Sequence, residues 1–472
     1  MRINWLPLPL LLGFALSAVS SEPGWIDLFD GKTLDGWRAG ENQSTFRVEN
    51  GAIVAQGPRS HLFYVGDVQG AKFRNFELSA EVRTKAGANS GIYFHTTYQP
   101  ADWPSSGFEV QINNSATRHG DYLELKKTGS LYGIRNIYTQ TAKDEEWFTM
   151  NIRVVGKNVQ VRLNNLLLVD YNEPAEPPGK RLGSGTFALQ GHDPDSLVAF
   201  RKIQVKPLPE AAPAPVAVKV DEFYRTVLEY SRANFPVVDF HTHLKGGLTL
   251  DELLASSRET GFGHGVAVNC GLGFAITNDA GIDAFLRDFP RAPVFKGMQA
   301  EGREWVRLFS PAAIARFDYV FTDAMTIMDE QGRRSRLWIK EEVNIKDNQA
   351  FMERLVRTIE KIMAEEPIDI YVNPTFLPDV IAGEYDALWT EARKQRVIAA
   401  AAKNRIAIEI SSRYELPKAD FIRAAKKAGV KFTLGTNNPG REVLRNEYGL
   451  RMIRECGLSW QDMWTPLERK PR

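Results

Sequence analysis

Between residues 46 and 205 the chain alternates apolar and polar positions in short runs, at 76–82, 90–95, 107–112, 148–155, 159–163, 166–171, 183–190 and 198–205. Successive residues of a strand point to opposite faces, so a period of two predicts strands with one buried face. Asn50-Gly51, Lys157-Asn158 and Asn164-Asn165 stand between runs and supply residues that tolerate the backbone of tight hairpins. No stretch of this half keeps a helical period. The pattern predicts an all-β sandwich of two antiparallel sheets over residues 22–206.

The pattern changes after residue 235. Short apolar runs at 237–241, 265–270, 294–299, 317–322, 368–373, 406–410 and 430–434 alternate with helical periodicity at 249–259, 348–365, 386–402 and 419–427. Strands alternating with helices predict a parallel sheet, and seven such units predict a distorted TIM-like (β/α)7 barrel over residues 221–472. An open doubly wound sheet is the alternative. Between the halves, residues 207–220 contain Pro-Leu-Pro-Glu-Ala-Ala-Pro-Ala-Pro, the composition of an extended, stiff spacer.

Residues 1–20 read as an export signal: Arg2 is followed by an apolar stretch and by Ala18-Val19-Ser20, small residues suited to cleavage. The expected location is periplasmic or extracellular, with no membrane span after cleavage. The 472 residues carry 59 basic and 58 acidic side chains, a balance that gives no electrostatic reason to expect nucleic acid. The two cysteines, Cys270 and Cys456, lie in apolar surroundings and are read as packed free thiols. Oligomeric state is not legible.

In the first half, Glu109 stands between Phe108 and Val110. A carboxylate in an apolar strand needs a partner or a function. Asn89, Gln111, Tyr132 and Gln190 are further strand-borne polar candidates, with His95 and His192 as imidazoles beside them. Trp37, Tyr93, Trp103, Tyr132 and Trp147 are available to stack on sugar rings. The alternative for each is a solvated strand face or a core aromatic.

Trp25-Ile-Asp-Leu-Phe-Asp-Gly-Lys-Thr-Leu-Asp-Gly-Trp37 resembles the opening of the 3-keto-disaccharide hydrolase domain family. Asn89-Ser-Gly-Ile92, Gly107-Phe-Glu-Val-Gln-Ile112, Gly129-Ser-Leu-Tyr-Gly133, Leu189-Gln-Gly-His192 and Phe200-Arg-Lys-Ile203 resemble its later blocks. The resemblance implies a concanavalin-like jelly roll acting on glycosides oxidised at C3. A ketone there acidifies the C2 proton, so a base can remove it and the C1 substituent can leave. Catalytic candidates are Glu109, His95 and His192. Substrate-binding candidates are Asn89, Gln111, Tyr132, Gln190 and Trp103. A sugar-binding module without chemistry is the competing expectation, since this shape serves both.

In the second half, Asp239-Phe-His-Thr-His243 closes the first barrel run. Two imidazoles at i and i+2 share a strand face, where neutral imidazole is the commonest metal ligand. Other run ends carry Asn269, Gln299, Glu301, Asp323, Asn373, Glu409, Asn437 and Asn438. These blocks resemble the PHP (polymerase and histidinol phosphatase) superfamily of metal-dependent phosphoesterases. This chain departs from that pattern: Asn373 stands before Pro-Thr where the family has His, and all seven histidines lie at or before His264. His241, His243, Glu301, Glu409 and Asp323 remain as candidate ligands for one divalent ion, Zn, Mn or Fe. A metal hydrolase, a metal-free sugar-handling barrel and an inactive partner domain are the three readings left open.

Overall fold

The computed structural model describes residues 24–115, 118–119, 122–210, 218–329, 332–443 and 445–469. The expected export signal and the centre of the spacer lie outside the described residues.

Two antiparallel sheets face each other across residues 24–207. One runs in the order Leu166–Asn172, Asn158–Leu163, Phe148–Val155, Phe76–Thr84, Val198–Pro207, Ala52–Ala55 and Phe46–Glu49, with Ile26–Asp27 also pairing Val198–Pro207. The other contains β1 (Trp37–Ala39), β2 (Ser60–Tyr64), β3 (Ser90–Thr96), β4 (Phe108–Ile112) and β5 (Thr186–Gly191), in the order β1-β2-β5-β3-β4. Leu62, Tyr64, Ile92, Phe94, Phe108, Val110, Ile112, Phe187 and Leu189 fill the space between the sheets. The alternate positions of the second sheet point outward. Register aligns Tyr93 with Glu109, Ala188 with Tyr93 and Gln190 with His61, so the period of two delivers these polar groups to one face.

The second half closes into a parallel barrel of seven strands: β6 (Val238–Thr242), β7 (Gly263–Cys270), β8 (Phe295–Ala300), β9 (Tyr319–Thr322), β10 (Ile370–Tyr371), β11 (Ala407–Ser411) and β12 (Phe432–Gly435). Closure between β12 and β6 excludes the open-sheet alternative. Only Ile370–Tyr371 of the expected 368–373 run are strand, and Asn373, at φ 50°, turns the chain away beyond them. The helices follow local signals. α1 (Glu222–Arg232) is capped by Asp221, whose carboxylate accepts from Tyr224 N, and α2 (Leu250–Thr260) starts on a Thr249–Glu252 capping box and stops at Gly261 with φ 83°. Cys270 and Cys456 are buried free thiols. No helix among the described residues is long and apolar enough to cross a membrane.

The halves are not strung loosely on the spacer. Leu123, Leu125 and Tyr138 of the first half share an apolar cluster with Val238, Phe240, Tyr319 and Trp464 of the second. Buried polar side chains stitch the same seam. Asn136 donates to Ser231 O at 2.9 Å and Tyr138 Oη to Phe235 O at 3.0 Å. Arg135 donates to Arg258 O and Glu259 O at the end of α2, at 2.9 and 2.6 Å. Its guanidinium also lies over Tyr171 and Tyr224. Arg135→Met keeps the apolar stem and orphans both carbonyls. It is expected to lower stability by about 2 kcal/mol, read as a shift of the urea midpoint, and to speed proteolytic cleavage within 207–220.

Candidate functional site

The outward face of the β1–β5 sheet carries a cleft of about 710 Å³. Glu109 forms part of its floor. Tyr93 Oη donates to Glu109 Oε2 at 2.8 Å, and Gln190 Nε2 donates to Oε1 at 3.1 Å. Burial pushes the Glu109 carboxyl up to about 7, against the lowering pull of those two donors, and the nearby Glu124 adds repulsion. A carboxyl so poised is half ionised near neutrality, where a general base works best.

The backbone makes room for this carboxylate. Gly91 lies on the neighbouring strand β3, and a Cβ there would sit 2.4 Å from Glu109 Oε1 and 2.9 Å from its Cγ. Gly91→Ala is therefore expected to push the carboxylate aside and lower turnover on the order of 10²-fold. Far-ultraviolet circular dichroism should stay at wild type, since strand geometry accepts alanine.

A second polar chain lines the cleft. Gln111 Nε2 donates to Asn89 Oδ1 at 2.7 Å, Asn89 Nδ2 meets His192 Nε2 at 3.2 Å, and His192 Nδ1 meets Asp193 Oδ2 at 2.7 Å. Trp103 stands over His192, with ring centroids 5.5 Å apart, and is 43% exposed, leaving area for a sugar ring. Among the described residues, Gln111 Oε1 and Gln190 Oε1 are buried without a hydrogen-bond partner.

Glu109, Asn89, Gln111, Tyr132, Gln190, Trp103 and His192 thus come together in one cleft. His95 does not join them. Its backbone takes φ 54°, which breaks the strand alternation and turns the ring toward Phe76 and Phe94; Nε2 meets Arg74 O at 2.9 Å and burial lowers its pKa to about 4. Of the aromatic candidates, Tyr93, Trp103 and Tyr132 line the cleft. Trp37 is in the core, bonded to Leu28 O, and Trp147 lies beneath Arg83 and Arg201.

Several cleft groups escape a strand-by-strand reading. Glu124 accepts from Tyr122 Oη at 2.6 Å, Tyr132 Oη at 3.0 Å and Lys126 Nζ at 3.2 Å. Its one sequence signal is an acid between Leu123 and Leu125, the same apolar–acid–apolar pattern as Glu109. Lys180 enters from a loop, and burial lowers its pKa while Glu109 raises it. Arg232, the last residue of α1, reaches the cleft from the barrel half.

At the C-terminal ends of the barrel strands, the five metal candidates are engaged with one another and with their neighbours. His241 Nδ1 meets Glu409 Oε1 at 2.6 Å, and Glu409 Oε2 accepts from Asn373 N at 2.9 Å. Asp323 accepts from Met325 N and Asn373 Nδ2, and Glu301 from Asn269 Nδ2. His243 Nδ1 is held by Ala267 O at 3.0 Å, and its ring also interacts with Gln299. His241 Nε2 alone of these imidazole nitrogens is buried with no partner. Among the described residues no three His, Cys, Asp or Glu side chains form a group that could hold a metal ion. The expected ligand set therefore does not assemble around a metal here: the strand ends after His243 carry carboxamides and carboxylates but no histidine, and Glu409 is already held by His241 and Asn373 N. Asn438 has become a backbone clamp, accepting from His243 N and donating to His243 O.

Comparison with known proteins follows the division between halves. Residues 24–206 match the family model of the 3-keto-alpha-glucoside-1,2-lyase-like domain. A 3-keto-disaccharide hydrolase of Bacteroides thetaiotaomicron is 38% identical over 78 residues, 15% of this chain and 27% of that protein. The chain thus spans about a quarter of the length of the curated relative it matches. Among solved structures, a protein assigned as a glycosyl hydrolase in Parabacteroides distasonis ATCC 8503 is 23% identical with a TM-score of 0.34, covering 39% of this chain and 94% of its own. The zinc-bound histidinol phosphate phosphatase of Lactococcus lactis is 13% identical with a TM-score of 0.36, covering 50% of this chain and 100% of its own. The sandwich half of this chain resembles the 3-keto-disaccharide hydrolase domain family, over the span that carries the Glu109 cleft.

Proposed function

We propose that the sandwich cleaves 3-keto-glycosides by removing the proton next to the ketone, with Glu109 as the base. The observation that carries this reading is a carboxyl with its pKa raised to about 7, held by Tyr93 and Gln190 on the floor of a sugar-sized cleft. Glu109 takes the C2 proton, and the C–H electron pair becomes the C2–C3 double bond of an enolate. Lys180, the cation whose field reaches Glu109, offsets the charge on the C3 oxygen. Collapse of the enolate restores the ketone and expels the C1 oxygen, which takes a proton from water in the open cleft. The hydroxide left by that water adds at C1 of the resulting C1–C2 double bond, and Glu109 returns its proton to C2. Release before that addition is the lyase outcome.

The chain Gln111–Asn89–His192–Asp193 leaves both His192 nitrogens partnered. That fits binding and positioning of the sugar beside Trp103 rather than proton transfer. The deciding experiment offers the full chain a 3-keto-glucoside and the unoxidised glucoside. Turnover of the first, with either the unsaturated or the hydrated product, supports the enzyme. Binding of the second with no turnover of the first makes the cleft a sugar-binding module.

For the barrel, the engagement of Glu409 by His241 and of Asp323 and Glu301 by the carboxamides of Asn373 and Asn269 favours a metal-free domain. Metal analysis of the purified full chain is expected to give well below one zinc, manganese or iron per chain. A stoichiometric ion lost in His241→Ala would restore the metal-hydrolase reading.

A further inference from the structure

A second groove of about 1170 Å³, sharing no lining residue with the first, runs between the sandwich and the barrel. Saccharide-sized ligands occupy cavities of this order. Among the described residues, Lys127 Nζ, Thr139 Oγ1 and Thr141 Oγ1 of its lining are buried with no hydrogen-bond partner. Lys127 is 2% exposed. A buried ammonium without counter-charge or acceptor is costly, and native interiors satisfy such groups with protein, water or ligand. Its neighbour in sequence shows the contrast: Lys126, equally buried, is satisfied by Glu124 Oε1 and Asn234 Oδ1.

The groove has a cationic surplus around Lys127. Arg291 donates to Thr141 O at 2.6 Å, a neutral partner that leaves its charge uncompensated. Lys143 is paired with Glu146 at 3.4 Å. Glu124 and Asp144 act on Lys127 through their fields, raising its pKa against burial, but neither makes an ion pair with it. The missing complement of an ammonium and two hydroxyls is a group rich in acceptor oxygens and negatively charged.

We propose that this groove is a binding site for an oxyanion, a phosphoryl or carboxylate group carried on a saccharide-sized molecule, anchored by Lys127 with Thr139 and Thr141. The site is separate from the Glu109 cleft, so it stands or falls independently of the chemistry proposed there.

Isothermal titration of the full chain, at constant ionic strength in chloride, tests it with inorganic phosphate, glucuronate and glucose. At least one of the two anions should bind at one per chain, with glucose silent. Phosphate binding points to a phosphoryl group and binding of glucuronate alone to a carboxylate. Lys127→Met should weaken the anion at least about 10-fold, the effect of losing one charge-assisted contact. Lys127→Arg should retain it, and Thr139→Val with Thr141→Val should weaken it in a background where Lys127 is intact. Glu109→Gln and Lys180→Met should bind as wild type. The proposal fails if neither anion binds, if Lys127→Met binds as tightly as wild type, or if Lys180→Met is the variant that abolishes binding.

Discussion

Glu109→Gln is expected to lower turnover of a 3-keto-glucoside by about 10²–10⁴-fold, the range a positioned general base supplies. Glutamine preserves shape and can still bond Tyr93 and Gln190, so KM should change far less than kcat. In the wild type, kcat/KM should rise with pH to a plateau above about 7, because only the ionised Glu109 accepts a proton. The same substitution makes a stability prediction of definite sign. The folded carboxyl titrates at about 7 against an ordinary 4.5. Its contribution is therefore fully present below the unfolded value and is lost as pH rises through the folded one. At pH 8 the wild type holds an ionised group that the cleft disfavours. Glutamine should then stabilise by about 2 kcal/mol, after discounting the shift because the side chain borders an open cleft. At pH 4 the two proteins should unfold at closely similar urea concentrations. Wild-type turnover in Glu109→Gln would assign the proton transfer elsewhere in the cleft.

Glu409→Ala is expected to destabilise the barrel by about 3–5 kcal/mol, as removal of one member of a buried pair does. Glu409 is 1% exposed and joins three strands: it accepts from His241 on β6 and from Asn373 beyond β10, while standing on β11. Alanine would orphan His241 Nδ1 and the Asn373 amide. It would also leave a void beside Gly435, which has no side chain because a Cβ there would lie 1.9 Å from Glu409 Oε1. A lower urea midpoint with unchanged sandwich activity would identify Glu409 as a structural clamp. Stability at the wild-type value would show that the barrel closes without it.

The comparison of the two acids shows what kind of information each position held. Glu109 was visible as an acid flanked by apolar strand residues, and the period of two placed it on the face opposite Phe108 and Val110. Glu409 shared that signature between Ile408 and Ile410, yet its strand face points into the barrel, where His241 meets it. Alternation reports which side of a strand a residue takes. It does not report what stands on that side.

The sequence by itself determined the architecture: alternating short runs for the sandwich, strand–helix alternation for the barrel, and the strand face that Glu109 and Gln111 share. Local periodicity is a property of neighbours in the chain, so it survives without coordinates. Only the tertiary structure brought Glu124, Lys180 and Arg232 to the same cleft, because loop ends and a helix terminus carry no periodic signal of where they will lie. Only it withdrew His95, through one left-handed residue inside a strand, and engaged the barrel's acids with His241, Asn373 and Asn269. Whether a buried polar group becomes a site or a clamp is decided by the donors and acceptors that long-range packing sets within about 3 Å of it.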